Sequence, residues 1–148
     1  AYLAALRPEY DLNPADPVRR AMVDQWSYWQ AIHLGPAMQK VAFDRVQKRL
    51  FGRGEPDDAA IAGDLKTMGE LLPVLDAALA GQEWIAGALS LADFALATTF
   101  MLRRPARLGV EAHANVTAWI ERLEARPSWQ RAVEPYLAGL RERGADLG

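Results

Sequence analysis

With 148 residues, 51 % of them apolar and 24 % charged, the chain fits one globular domain able to bury about two-thirds of its unfolded surface. A net charge of −2 gives no bulk attraction to nucleic acid or to anionic membranes, and no apolar run nears the roughly 20 residues needed to span a bilayer. The absence of cysteine excludes disulfides, thiolate nucleophiles and cysteine-ligated metals; this composition suits the cytoplasm, and no basic, apolar leader opens the chain.

Tyr2 to Leu6 reads as the end of a helix, too short to be stable without something to pack on, so the chain is expected to be a piece of a longer protein. Pro8, Pro14 and Pro17 break up the next stretch, which reads as a linker. Asp16 before Pro17 is a helix start, because a carboxylate accepts the free amides of a first turn and proline is tolerated there. Apolar residues then recur every three or four positions, at Val18, Met22, Trp26 and Trp29 and again at Met38, Val41, Val46 and Leu50. This is one face of a long helix, with a kink expected at Gly35-Pro36. Gly52 to Pro56 ends it.

Asp57 or Asp58 caps a second long helix, whose apolar positions Ile61, Leu65, Met68, Leu72, Leu75 and Leu79 step by four and three. The short loop between the two long helices makes them antiparallel neighbours. Pro73 is expected to bend the second, and Gly81 closes it. Shorter helices are expected from Ser90 to about Leu102 and from Asn115 to Ala125, the latter with Val116, Trp119, Ile120 and Leu123 inward. A last helix starts at Pro127-Ser128, with Trp129, Val133, Tyr136, Leu137 and Leu140 on one side, and a polar tail is expected to fray after Leu140. Nothing alternates with period two, so the fold class is all-α, a bundle of five to six helices.

The most specific segment is Trp84-Ile85-Ala86-Gly87 followed by Ser90-Leu91-Ala92-Asp93. Ser90 at the N-cap and Asp93 three residues on can satisfy each other's backbone amides as a capping box, with Leu89 and Phe94 as the flanking apolar staple. Ser90 and Asp93 are therefore structural here, opening a central buried helix. Asp57-Asp58 is likewise a helix start. Arg103, Arg104 and Arg107 read as a basic helix end that complements the helix dipole. His33 and His113 lie far apart with no carboxylates arranged around them, so no metal site is expected.

This combination resembles the glutathione S-transferase family, whose C-terminal all-helical domain has a buried helix opening with Ser/Thr-x-x-Asp after an apolar-x-Gly turn. Trp119 to Ser128 is similar to the family's W-x-x-R-x-x-x-R-P segment. Trp26 to Gln30 with Leu34-Gly35-Pro36 looks like the long helix of bacterial, nu-class-like members, and Tyr2-Leu3 like the end of the family's thioredoxin-like domain. The resemblance implies that residues 1–16 are the end of that domain and the interdomain linker, and that 17–148 are the helical domain.

It further implies that the intact protein transfers glutathione thiolate to electrophilic small molecules, or reduces them with it. The residue that activates glutathione would lie in the other domain, leaving no catalytic residue and no bound cofactor in this chain and the chain alone inactive. The helical domain would supply the wall of a hydrophobic electrophile pocket, for which the positional candidates are Trp29, His33, Pro36 and Gln39, and part of a homodimer interface. The competing reading is a non-catalytic assembly module of the same fold.

Overall fold

The apolar spacing of the first half is realised as two long helical stretches, and the regular structure among the described residues is helical throughout. The computed structural model describes residues 1–147. Helix α1 (Tyr2–Ala5) is a single turn, followed by a 3-10 turn at Pro8–Tyr10 inside the proline linker. The linker is not loose. Asp11, in left-handed backbone, accepts from Arg19 at 2.7 Å, Arg20 donates to the Pro14 carbonyl at 2.9 Å, and the Leu12 carbonyl accepts the Leu91 amide at 2.9 Å.

Helix α2 (Pro17–Trp29) starts on Asp16, whose side chain accepts the Arg19 amide at 2.8 Å. It continues through a π-turn at Gln30–Leu34 into α3 (Gly35–Ala42), then through a second π-turn at Phe43–Gln47 into α4 (Lys48–Leu50). Thus the expected kink at Pro36 takes the form of a widened turn. Proline offers no amide and crowds the carbonyl four residues back, and a π-turn accommodates both defects within a continuous helix. Gly35 permits this: a Cβ there would lie 2.8 Å from the Gln30 carbonyl oxygen.

Val18 and Met22 do not face the core as their spacing led us to expect; they are 72 % and 42 % exposed. The buried face of α2 is Val23 and Trp26, because α2 packs mainly on the central helix rather than along the second long helix.

Asp57, rather than Asp58, caps α5 (Asp58–Ala78), accepting the Ala59 and Ala60 amides at 3.1 and 3.0 Å. Ile61, Met68, Leu72 and Leu75 of α5 meet Leu34, Met38 and Val41 in one core, and Pro73 sits inside the helix on its exposed side. The Asp44 carboxylate ties the two long stretches together, accepting Lys48 at 2.6 Å and the Asp57 amide at 3.1 Å. The Lys48 hydrogen bond holds this carboxyl below the usual range against partial burial, and the Asp57 amide and Lys48 charge add to the effect.

The centre is α6 (Leu91–Ala97), wholly enclosed at Ala92, Asp93, Leu96 and Ala97. It is shorter than the sequence indicates: a 3-10 turn at Thr98–Phe100 follows, where the Thr98 and Thr99 hydroxyls bond the Ala95 and Leu96 carbonyls at 2.8 and 2.7 Å. Such back-bonding offers carbonyls an alternative to the helix ladder. At its start the capping box of Ser90 and Asp93 is formed. Asp93 accepts four bonds: the Ser90 amide at 2.9 Å, the Ser90 hydroxyl at 3.0 Å, the Ile85 amide at 3.0 Å and the Trp119 indole at 2.9 Å. Phe100 meets Trp119 edge-on, with centroids 5.7 Å apart.

Helix α7 (Ala114–Glu124) is capped from outside. Asp76 of α5 accepts the Asn115 and Val116 amides at 2.9 and 3.1 Å, and the Asn115 side chain at 3.0 Å. Burial pushes the Asp76 carboxyl up, but the Val116 amide, the Asn115 side chain and amide, and the charge of His113 outweigh it and hold it below its ordinary value. A depressed carboxyl stabilises the fold above the unfolded value of about 3.9 and loses that contribution as pH falls through the folded value. Asp76→Ala should therefore cost about 0.5–2 kcal/mol at pH 7 and markedly less at pH 3, read as the shift in urea midpoint. An equal cost at both pH values would show that the carboxylate is not the cap.

Helix α8 (Pro127–Glu142) closes the bundle, and the described residues of the expected fraying tail, 143–147, fold back instead: Ala145 donates to the Leu140 carbonyl at 3.0 Å, and Ala145 and Leu147 pack on the core. Arg103 also departs from expectation. It is 5 % exposed and grips both carboxylate oxygens of Glu124, so it joins the end of the central region to α7 instead of complementing a helix dipole in solvent. Arg122 lies 5.5 Å over the Trp84 ring and donates to the Glu83 carbonyl at 2.7 Å, clamping the Trp84–Gly87 turn to α7.

Candidate functional site

A groove of about 650 Å³ runs along the second half of the long helical stretch. Its floor is the face carrying Pro36, Gln39, Lys40, Phe43 and Gln47, where α3 passes into the second π-turn. The opposite wall comes from Thr98, Thr99, Met101 and Leu102, where α6 gives way to the 3-10 turn, and Tyr136 of α8 closes one end. The lining mixes apolar surface from Pro36, Phe43, Met101 and Leu102 with a few polar groups, the ordinary make-up of a small-molecule site.

The polar groups are mostly committed. The two threonine hydroxyls are spent on backbone carbonyls, and Asp44 is held by Lys48 and the Asp57 amide. Gln47 donates its side-chain amide to the Tyr136 hydroxyl, joining floor to end wall. Burial pushes the Tyr136 phenol up, with the Gln47 bond acting against it, so the ring stays neutral at physiological pH.

Of the four wall candidates, the structure brings Pro36 and Gln39 together in the groove. Trp29 lies outside its lining, half-buried edge-on to Trp26 with centroids 5.2 Å apart. His33 also lies outside it, exposed in the first π-turn. Phe43 and Gln47 were legible as the continuation of the Pro36 face at steps of three and four. Tyr136 was not, since only the packing of α8 brings it there.

Around a buried capping box, this geometry defines an all-helical domain with a mostly apolar groove along its longest helical stretch. Residues 35–127 match the family model of the glutathione S-transferase C-terminal domain, and the chain belongs to that family.

Glutathione S-transferase 3 of Zea mays is 32 % identical over 127 residues, which cover 83 % of this chain and 56 % of the maize protein. A glutathione S-transferase of Hyoscyamus muticus is 28 % identical over 122 residues, 80 % of this chain and 57 % of its own. Among solved structures, glutathione S-transferase I bound with lactoylglutathione superposes with a TM-score of 0.82 at 28 % identity, over 90 % of this chain and 65 % of that one. The theta class enzyme of the citrus canker pathogen Xanthomonas axonopodis pv. citri, with glutathione bound, gives 0.74 at 30 % identity, over 90 % and 68 %. The chain spans a little over half the length of the two curated relatives. Among the described residues no helix is long and apolar enough to cross a membrane.

Proposed function

We propose that this domain is the electrophile-binding wall of a glutathione transferase whose whole chain transfers glutathione thiolate to electrophilic small molecules, or reduces them with it. The groove between Pro36, Phe43, Met101 and Tyr136 carries this reading, because it is concave, mostly apolar and large enough for a small organic molecule. Family membership supports it, as do solved relatives holding glutathione, lactoylglutathione and an atrazine glutathione conjugate.

The thiol-activating group belongs, in this proposal, to the part of the protein outside these 148 residues. Its work is to lower the glutathione thiol toward neutrality and so raise the thiolate population. Trp29 and His33 lie along the same helical stretch N-terminal to the groove and would border glutathione or the other domain rather than the electrophile's apolar body. The exposed apolar side chains Val18, Met22, Tyr28 and Ile32 supply surface for that domain and for a second subunit in a homodimer. A cytoplasmic detoxifying enzyme fits this proposal.

The test uses the whole protein with glutathione and an aryl halide. Wild type should turn over and the isolated 148-residue chain should not. Phe43→Ala should raise KM for the halide about fivefold, from loss of apolar contact worth about 1 kcal/mol, with little change in KM for glutathione. No turnover by the whole protein would favour the assembly-module reading. Equal effects on both KM values would remove Phe43 from the electrophile site.

A further inference from the structure

Past the groove, the end of the long helical stretch carries Arg45 and Arg49 one turn apart, with Val46 and Leu50 beside them. These residues form one side of a second cavity of about 860 Å³, which shares no lining residue with the groove. Pro105, Arg107 and the folded-back residues 144–146 form the other side. The Arg45 guanidinium is fixed in place, since its Nη1 donates to the Ala106 and Arg107 carbonyls at 2.7 and 2.9 Å. Its Nε and Nη2 edge meets no acceptor among the described residues, and neither does the side chain of Arg107. Arg49 donates to Glu55 at 2.6 Å, but that pair is exposed at both ends and holds the guanidinium weakly. Asp146 is the acid in the lining, so three guanidiniums against one carboxylate leave two positive charges in excess.

The backbone at Arg107 carries a second, independent sign. Two chain reversals meet at this cavity with the same hydrogen-bond pattern. Leu108 and Arg107 donate to the Arg103 and Arg104 carbonyls, both at 3.0 Å; Ala145 and Gly144 donate to those of Leu140 and Arg141, at 3.0 and 2.8 Å. Each reversal needs one left-handed residue, a position that favours glycine. The second reversal has Gly144 there, at φ 92°, whereas the first has Arg107, at φ 51°. Arginine at that position adopts a disfavoured backbone, and no hydrogen bond or ion pair of its side chain offsets this among the described residues. Residues held in such conformations cluster at ligand sites.

We propose that this cavity binds a small phosphomonoester, with the phosphate on Arg45 and Arg107 and an apolar body against Val46, Leu50 and Pro105. Guanidinium forks match oxyanions in pairs of parallel hydrogen bonds, a geometry that lysine does not offer. A phosphomonoester brings nearly two negative charges and three acceptor oxygens, enough for two forks and for the excess charge of the lining. A carboxylate brings one charge and two oxygens, and a sulfate ester one charge. The half-buried Val46, Leu50 and Pro105 give the organic group a wall that inorganic phosphate would leave bare. This site stands whether or not the groove receives electrophiles.

The experiment is calorimetric titration of the whole protein with phenyl phosphate, phenyl sulfate and inorganic phosphate. Phenyl phosphate should bind with a submillimolar Kd, and each of the other two about tenfold more weakly, for want of a charge or of a body. Arg107→Gly is the informative variant, because glycine relieves the left-handed backbone while it removes the fork. It should melt no lower than wild type and bind phenyl phosphate about tenfold more weakly, the worth of one charged hydrogen-bonding partner. Arg45→Met should weaken binding at least as much, and Phe43→Ala, in the groove, should leave it unchanged. Absence of binding at millimolar phenyl phosphate, or equal affinity in wild type and Arg107→Gly, overturns the site. Phenyl sulfate bound as tightly as phenyl phosphate overturns the choice of a phosphomonoester, and inorganic phosphate bound as tightly overturns the role of the apolar wall.

Discussion

Asp93→Ala is expected to unfold much of the domain at growth temperature, or at least to lower its melting temperature by about 10 °C. The carboxylate has no exposed surface and accepts four bonds, from Ser90 twice, Ile85 and Trp119. Alanine would leave four buried donors without an acceptor, each costing about 1–3 kcal/mol if unrelieved. The network does not come apart additively, and about 3–5 kcal/mol is a reasonable total. At this chain length each kcal/mol moves the melting point by about 2–4 °C. A capping box alone would cost only about 0.5–2 kcal/mol, so thermal melts of Asp93→Ala beside Ser90→Ala separate the two descriptions. Equal, small shifts would mean that the Ile85 and Trp119 bonds carry no weight.

The second large effect is expected at Arg103 and Glu124. Glu124→Ala leaves the Arg103 guanidinium buried with its carboxylate partner gone, and Arg104, 4.0 Å from the same carboxylate, adds a second positive charge beside it. Breaking such a pair from one side costs about 3–5 kcal/mol. Replacing both sides by apolar residues of similar volume, Arg103→Met with Glu124→Leu, should recover most of that loss, because desolvation of the ions disappears with their attraction. Urea midpoints of the two singles and the double would form the cycle. A double variant as unstable as Glu124→Ala would show that the side chains matter for their shape at this joint and not for their charge.

Both sites show what a linear reading can and cannot supply. Ser90 and Asp93 are three residues apart, and that spacing alone predicts their mutual capping; the structure forms it. Trp119 is 26 positions from Asp93, and its indole bond exists only because α7 packs against α6. Asp76 capping α7 across 39 residues has the same character. Helix identity was legible wherever apolar steps of three and four persisted, as in Ile61 to Leu79. Which face turned inward was less so. Val18 and Met22 share the period of Trp26, yet nothing covers the start of that stripe in this chain. In the groove, Pro36 and Gln39 could be named because a proline in a helical pattern marks its own position. Arg103 offered no such mark: among neighbouring arginines, nothing in the letters says which one is buried.

The two widened turns at 30–34 and 43–47 act as phase shifters. Each holds roughly one residue more than an α-helical turn of the same span, and one residue is about 100° of rotation about the axis. Everything downstream is aimed by that offset, so the side of the rod that meets the central helix near Trp26 need not be the side that meets a small molecule near Phe43. Shortening the first widened turn by a single residue would leave the rod intact and the box at Asp93 formed, yet swing Phe43 and Gln47 away from Tyr136. Where this domain looks is thus set by residue count as much as by residue type.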